Sequence, residues 1–178
     1  MKRRGLIVVF TGDGKGKTSA ALGIALRSCG HGMRVAMVQF IKSPTETGEE
    51  KVAERLKPEL ELVTMGKGFV NHPAGTATFP EHRKAAEEAL ELARQRVSSG
   101  YWDVVILDEI NIAVGFGLIA VEDVLSLLRN KPAKLHVVLT GRDAHPDLLA
   151  LADVVTEMRN LKHPFDACRL PAQQGIDY

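Results

Sequence analysis

The sequence is poor in cysteine and nearly free of net charge. Its two cysteines, Cys29 and Cys168, have no CxxC spacing and are too few for a disulfide framework. Lys and Arg number 23 against 22 Asp and Glu, so the formal net charge is +1 and no basic field attracts nucleic acid. These deficits exclude a disulfide-stapled secreted module, make nucleic acid an unexpected partner, and predict a reduced, cytoplasmic compartment.

Long hydrophobic runs are also absent. The first run, Leu6–Phe10, is five residues long. A secretory core needs roughly 7 to 15 apolar residues, and a membrane span needs roughly 18. We therefore expect no signal peptide and no membrane partner. With 178 residues, 45% of them hydrophobic, and with no repeats or low-complexity linkers, the chain is predicted to form one domain over residues 1–178.

Short runs rich in β-branched residues alternate with helical patterns along the chain. The runs Leu6–Thr11 and Val104–Leu107 lack polar alternation, which is typical of strands buried on both faces of a parallel sheet. The alternation predicts an α/β fold with a mostly parallel sheet flanked by helices. The other predicted strands are Arg34–Ile41, Leu60–Thr64, Leu135–Thr140 and Val154–Glu157. The predicted helices are Lys17–Cys29, Glu81–Val97, Val121–Arg129 and Asp147–Leu151. Met65–Thr78 and Asn160–Tyr178 are irregular.

A glycine-rich segment, Thr11–Ser19, lies between the first predicted strand and the helix that follows it. Glycines let backbone N–H groups turn toward an anion, a Lys neutralises phosphate charge, and a hydroxyl can hold Mg²⁺. The usual pattern G-x-x-x-x-G-K-[ST] would place its first Gly at position 11, where this chain has Thr, so the loop is shortened. A glycine-rich turn without a ligand is the alternative. The predicted nucleotide-binding residues are Gly12, Asp13, Gly14, Lys15, Gly16, Lys17, Thr18 and Ser19, with Thr18 also a Mg²⁺ ligand.

Charged residues follow three of the other predicted strands. Asp108 and Glu109 stand at the sheet edge where ligands bind, and each is a candidate Mg²⁺ ligand, with a solvated acidic pair as the alternative. Arg142 is placed to contact a phosphate or to pair with Asp143 at the surface. Lys42 is a weaker candidate of the same kind. The six histidines show no metal-ligand spacing.

These residues indicate an α/β enzyme that binds Mg²⁺ and a nucleoside triphosphate, without choosing its reaction. Phosphoryl transfer or hydrolysis at the γ-phosphate, with Glu109 orienting the nucleophile, is one possibility. Attack elsewhere on the nucleotide is another. A regulator that uses the nucleotide only as a switch is the third.

Six motifs occur in order over essentially the whole chain: Thr11–Thr18, Val38–Lys42, Leu107–Glu109, Thr140–Arg142 with His145, Lys162–Ala167 and Gln174–Tyr178. In kind and order they resemble the motifs of the ATP:corrinoid adenosyltransferases of the bacterial cobalamin pathway. The shortened loop together with this tail makes the resemblance specific. It implies a P-loop NTPase-like, RecA-like fold.

The resemblance also implies a reaction, in which the 5′-deoxyadenosyl group of ATP moves to the Co(I) centre of a corrinoid and triphosphate is released. ATP and the corrinoid are then substrates, Mg²⁺ is the cofactor, a flavin-dependent protein donates electrons, and the enzyme is a homodimer. Lys17 and Arg142 would stabilise the departing triphosphate. Phe69 falls on an aromatic position that helps to displace the lower ligand of cobalt. Asn71 stands at the second such position, with Phe79 as a candidate substitute.

Overall fold

Six parallel strands form one sheet in the computed structural model, which describes residues 4–43, 47–68 and 79–177. The strands are β1 (Ile7–Thr11), β2 (Val35–Gln39), β3 (Leu60–Thr64), β4 (Val104–Asp108), β5 (His136–Thr140) and β6 (Val154–Glu157). Hydrogen bonds order them β3-β2-β4-β5-β1-β6, and every neighbouring pair is parallel. The predicted fold class, a P-loop NTPase-like parallel sheet flanked by helices, is confirmed.

Helices cover both faces of this sheet. They are α1 (Lys17–Cys29), α2 (Gly48–Arg55), α3 (Phe79–Ser98), α4 (Ile110–Gly115), α5 (Val121–Arg129), α6 (Pro146–Leu151) and α7 (Pro164–Cys168). All four predicted helices and all six predicted strands occur, with bounds that differ by at most two residues. Within the described ranges, no helix has both the length and the apolar character needed to cross a membrane.

Three helices were not predicted, and one of them has a sequence signal. The Thr47 side chain accepts a hydrogen bond from the Glu50 N–H, and the Glu50 carboxylate accepts one from the Thr47 N–H, which forms a capping box at the start of α2. By contrast, α4 and α7 have six and five residues, too few for periodicity to detect. Because α7 lies in the tail predicted to be irregular, that prediction was wrong in part.

The strand predicted at Arg34–Ile41 ends earlier, at Gln39. Phe40 and Ile41 are buried, but they lie in a bend. The Phe40 N–H donates to the Asp108 carbonyl at 3.0 Å, and the Ile41 carbonyl accepts from the Gly68 N–H at 2.9 Å. The apolar run in the sequence therefore continues past the end of the strand, because Phe40 and Ile41 are buried in the core without being part of the strand. This is why the predicted strand was too long.

The side chains of each central strand alternate between two helical layers. On β4, Val105 and Leu107 share one core with α3 and α5, whereas Val104 and Ile106 share the other with α1 and α2. Since both faces are covered, β4 is buried along its whole length and has no polar alternation. Full burial of each such side chain contributes about 1.5–3 kcal/mol, so the strand ends are firmly anchored beneath the loops that follow them.

The carboxyl ends of β1, β2, β4 and β5 meet at one edge of the sheet. The glycine-rich loop follows β1, and Lys42 follows β2. Asp108 ends β4, and Arg142 follows β5. Ligands of open parallel sheets bind outside this edge. The topology therefore brings together polar residues that are far apart in the sequence.

Candidate functional site

The glycine-rich loop packs directly against the segment that follows β6. A Cβ at Gly12 would lie 2.5 Å from the carbonyl oxygen of Met158, and one at Gly14 would lie 2.7 Å from that of Arg159. The Gly14 N–H also donates to the Met158 carbonyl at 2.7 Å. These glycines are therefore required by close backbone approach as well as by the turning of the loop.

Lys17, the first residue of α1, folds back over the loop. Its Nζ donates to the carbonyls of Gly12 at 2.5 Å and Gly14 at 2.7 Å. Burial lowers the pKa of Lys17, and the positive charge of Arg142 lowers it further. Both effects disfavour the charged ammonium, whereas an anion bound beside it would favour the charged form.

Asp108 is a buried hub that joins three elements. Its Oδ1 accepts hydrogen bonds from the hydroxyls of Thr18, at 2.9 Å, and Thr140, at 2.7 Å. Its Oδ2 accepts from Nε2 of Gln39 at 3.0 Å. The side chain of Asp108 is 0% exposed, so these donors are what make its burial as a carboxylate tolerable. Lys42 Nζ lies 3.8 Å from Oδ2.

Glu109, the next residue, has a different environment. Its backbone has φ 65°, a left-handed conformation that is unusual for a residue with a side chain. The Glu109 N–H donates to the hydroxyl of Thr140 at 2.8 Å, and its side chain lines the cleft described below. Burial raises the pKa of Glu109, as does the neighbouring Asp108, while Lys42 and Lys17 oppose the rise. The two adjacent acids are therefore distinct: Asp108 is held by three donors, and Glu109 faces the cleft.

Lys42 pairs with Glu49 at the start of α2. Its Nζ donates to Oε1 of Glu49 at 3.1 Å. Burial alone would lower the pKa of Lys42, but Asp108 and Glu49 outweigh it, so the pKa is raised and the ammonium stays charged. Burial would likewise raise the pKa of Glu49, but a backbone hydrogen bond and Lys42 lower it. Glu49 was not singled out from the sequence, and Thr140 was named there only as part of the Thr140–Arg142 motif, because their contacts with Lys42 and Asp108 are not visible in the local sequence pattern.

These groups surround one cleft of about 720 Å³. Its polar end contains the loop together with Lys42, Glu109 and Arg142, and its apolar end lies between α1 and α2. The C-terminal residues Ile176 and Asp177 complete the wall, and Asp177 forms an ion pair with Lys15. The predicted site residues that line this cleft are Asp13, Gly14, Lys15, Gly16, Lys17, Thr18, Ser19, Lys42, Glu109 and Arg142.

Within the part of the chain that the structure describes, two predicted site residues, Gly12 and Asp108, do not line the cleft. The Gly12 carbonyl, at the start of the loop, accepts a hydrogen bond from Lys17. The buried Asp108 carboxylate accepts a hydrogen bond from the Thr18 hydroxyl. Phe69 lies outside the described residues, as does Asn71. Phe79 begins α3 and packs against the core that contains α3 and α5.

The oxygen groups of the cleft fit a magnesium ion that takes most of its ligands from phosphates and water. Over residues 4–43, 47–68 and 79–177, no cluster of three or more His, Cys, Asp or Glu side chains could enclose a metal. A hydroxyl at Thr18 and a carboxylate at Glu109 are ligands of the kind Mg²⁺ uses when a nucleotide supplies the rest. The donor set therefore suits Mg²⁺ delivered with a nucleotide, rather than a metal caged by the protein alone.

Sequence comparisons give a consistent result over nearly the whole chain. The profile of the family described as ATP:corrinoid adenosyltransferase BtuR/CobO/CobP matches residues 3–178. A corrinoid adenosyltransferase of Pseudomonas aeruginosa is 41% identical over 175 residues, covering 98% of this chain and 84% of the relative. One from Escherichia coli is 41% identical over 179 residues, covering 98% and 86%. The corrinoid adenosyltransferase CobA of Salmonella typhimurium is 40% identical over 181 residues, covering 99% and 87%.

Proposed function

The chain belongs to the ATP:corrinoid adenosyltransferase family, and we propose how its residues divide the work of that reaction. The enzyme transfers the adenosyl group of ATP to a corrinoid. The observation that carries our assignment is the meeting of Lys17, Lys42, Glu109 and Arg142 in one cleft with the shortened phosphate loop.

We propose that the transfer is a displacement at C5′ of the ribose. The corrinoid cobalt, reduced to Co(I), supplies the electron pair of the new Co–C bond. The C5′–O bond breaks, and its electron pair leaves with the triphosphate. The protein must then hold C5′ in line with the cobalt and stabilise the charge on the leaving group.

The loop and its lysine are suited to the second task. Lys17 is held over the loop by the carbonyls of Gly12 and Gly14, so its ammonium is positioned before the nucleotide arrives. The start of α1 adds the partial positive charge of a helix N-terminus. Arg142, which lines the same cleft, is assigned a further contact with the triphosphate.

We assign Mg²⁺ to Thr18 and Glu109. The ion would neutralise charge on the departing triphosphate. Asp108 was an equal candidate from the sequence, but its carboxylate already accepts hydrogen bonds from Thr18, Thr140 and Gln39. In this assignment Asp108 orients the Thr18 hydroxyl, and Glu109 contributes the carboxylate that faces the ion.

The corrinoid side of the site stays a prediction. Phe69 is proposed to displace the lower ligand of cobalt, which would make Co(II) easier to reduce. Because Phe79 packs in part against the core, it is a poor substitute for the second aromatic position. We further propose a cytoplasmic homodimer that receives electrons from a flavin-dependent donor.

Product analysis tests the proposed displacement. Protein, MgATP and chemically reduced corrinoid are mixed, and the corrin spectrum and phosphate products are followed. We expect a light-sensitive alkyl-cobalt product together with intact triphosphate. Release of ADP would instead indicate attack at the γ-phosphate, as in a phosphotransferase or ATPase. Folded protein that binds ATP without any turnover would indicate a nucleotide-switched regulator.

A further inference from the structure

The C-terminal residues 173–177 form a closed turn. The N–H groups of Ile176 and Asp177 donate to the Gln173 carbonyl at 3.2 and 2.8 Å, respectively. The Gln173 N–H donates to Oδ2 of Asp177 at 2.7 Å. Gly175 has φ 79°, which suits this tight reversal. The turn therefore fixes the direction in which Asp177 presents its second carboxylate oxygen.

That second oxygen faces the phosphate loop. Asp177 Oδ1 pairs with Nζ of Lys15, and Gly175, Ile176 and Asp177 line the same cleft as the loop. The Asp177 side chain is 13% exposed, whereas that of Lys15 is 46% exposed. The carboxylate is thus seated within the wall of the cleft, and the more exposed lysine reaches it from the loop.

Lys15 has two competing anionic partners in this arrangement. It stands between Gly14 and Gly16 in the loop that receives the triphosphate, so a bound phosphate draws on the same ammonium as Asp177. A carboxylate in the cleft wall also repels a nearby phosphate. Because this ion pair is partly exposed, it is weak enough to exchange.

We propose that Asp177 is a residue of the nucleotide site that competes with the triphosphate for Lys15. The proposal rests on the proposed function, since it takes the loop to be where the triphosphate binds. In this role Asp177 weakens the binding of ATP and of the leaving triphosphate alike. The more highly charged product is affected more strongly, which favours its release after the transfer.

The test is a calorimetric titration of the full chain with MgATP and with tripolyphosphate plus Mg²⁺. Asp177→Asn keeps an acceptor for the Gln173 N–H but removes the charge. We expect about two- to fivefold tighter binding of both ligands at low salt, since exposed ion pairs are worth up to about this factor. The gain should shrink at high salt, because the interactions involved are screened.

Two further variants make the result specific. Asp123→Asn breaks a partly exposed ion pair with Arg94 in the helical layer on the other face of the sheet, so it changes net charge equally and should leave both affinities unaltered. In a Lys15→Gln background, Asp177→Asn should give a clearly smaller gain, because only the direct repulsion between the carboxylate and the phosphate is then removed. An equal gain in that background would overturn competition for Lys15.

Different results would overturn the proposed nucleotide site and the proposed competition for Lys15. Wild-type protein that binds neither ligand would overturn the nucleotide site itself. Wild-type protein that binds both, with Asp177→Asn binding equally or more weakly, would overturn only the competition. Weaker binding by Asp177→Asn would show that the carboxylate holds Lys15 in place for the phosphate.

Discussion

The hydroxyl of Thr140 donates a 2.7 Å hydrogen bond to Oδ1 of Asp108. The same hydroxyl accepts a 2.8 Å hydrogen bond from the N–H of Glu109. One side chain at the end of β5 therefore fixes both members of the acidic pair at the end of β4. It holds the Asp108 carboxylate in place and supports the left-handed backbone from which Glu109 enters the cleft.

Replacing Thr140 by Val should disturb the positions of both Asp108 and Glu109, because it removes the hydroxyl that bonds to each of them. The variant retains the shape of Thr but leaves a buried acceptor and a buried N–H without this partner, at a cost of about 1–3 kcal/mol. We expect a lower free energy of unfolding in urea and reduced adenosyl transfer. Thr140→Ser keeps the hydroxyl and should stay close to the wild type in both measurements; a Val variant as stable and as active as the wild type would show that this hydroxyl is not what fixes the two acids.

Lys17→Ala tests the phosphate loop. Removing an ammonium that meets the triphosphate should weaken ATP binding by roughly 10- to 100-fold and slow turnover at saturating ATP. Lys84→Ala, on the exposed face of α3, is the matched control and should change neither. Unaltered ATP affinity in Lys17→Ala would remove Lys17 from its assigned role.

The two acids should respond differently to loss of charge. Glu109→Gln should raise the Mg²⁺ concentration needed for half-maximal turnover while folding stability is largely kept. Asp108→Asn should lower the free energy of unfolding by about 1–3 kcal/mol, because its amide N–H group faces donors instead of accepting from them. Mg²⁺ titrations and urea melts on both variants separate these roles, and the reverse pattern would exchange the two assignments.

The pair of Lys42 and Glu49 predicts a pH dependence of stability. The pKa of Glu49 lies below its ordinary value of 4.5, so the unfolded chain binds the proton more readily than the folded one. The stabilisation is therefore present above pH 4.5 and is lost as the pH falls through the lowered pKa. Glu49→Gln should lessen the loss of stability in acid, measured as the difference between urea melts of the two proteins. Parallel pH profiles would show that the backbone hydrogen bond and Lys42 together give Glu49 no net preference for ionisation.

Phe69→Ala tests the predicted aromatic role on the corrinoid side. If Phe69 displaces the lower ligand, the variant should impair reduction of bound Co(II) and leave the reaction with preformed Co(I) nearly intact. Both assays use the same protein and MgATP, so a folding defect would lower both. Equal losses in the two assays would therefore indicate that Phe69 serves packing only.

Local patterns were enough to predict the fold class and the phosphate loop. Buried strands such as β4 can be recognised in the sequence by uninterrupted apolar residues. The loop can be recognised because Gly16, Lys17 and Thr18 are adjacent in the chain. The resemblance to the family likewise depended on short contiguous motifs. Such patterns depend on periodicity and backbone preference along the chain. The helices α4 and α7 were not predicted because they are too short to show a helical period.

By itself the sequence determined the class of fold, the loop and the set of charged residues at the sheet edge. Only the tertiary structure decided how these residues divide their roles. Asp108 became the buried hub because its donors come from the ends of α1, β2 and β5, and Asp177 reached Lys15 from the opposite end of the chain. Such partners are set by strand order and by where the chain ends meet the sheet, and neither is encoded in the spacing of neighbouring residues.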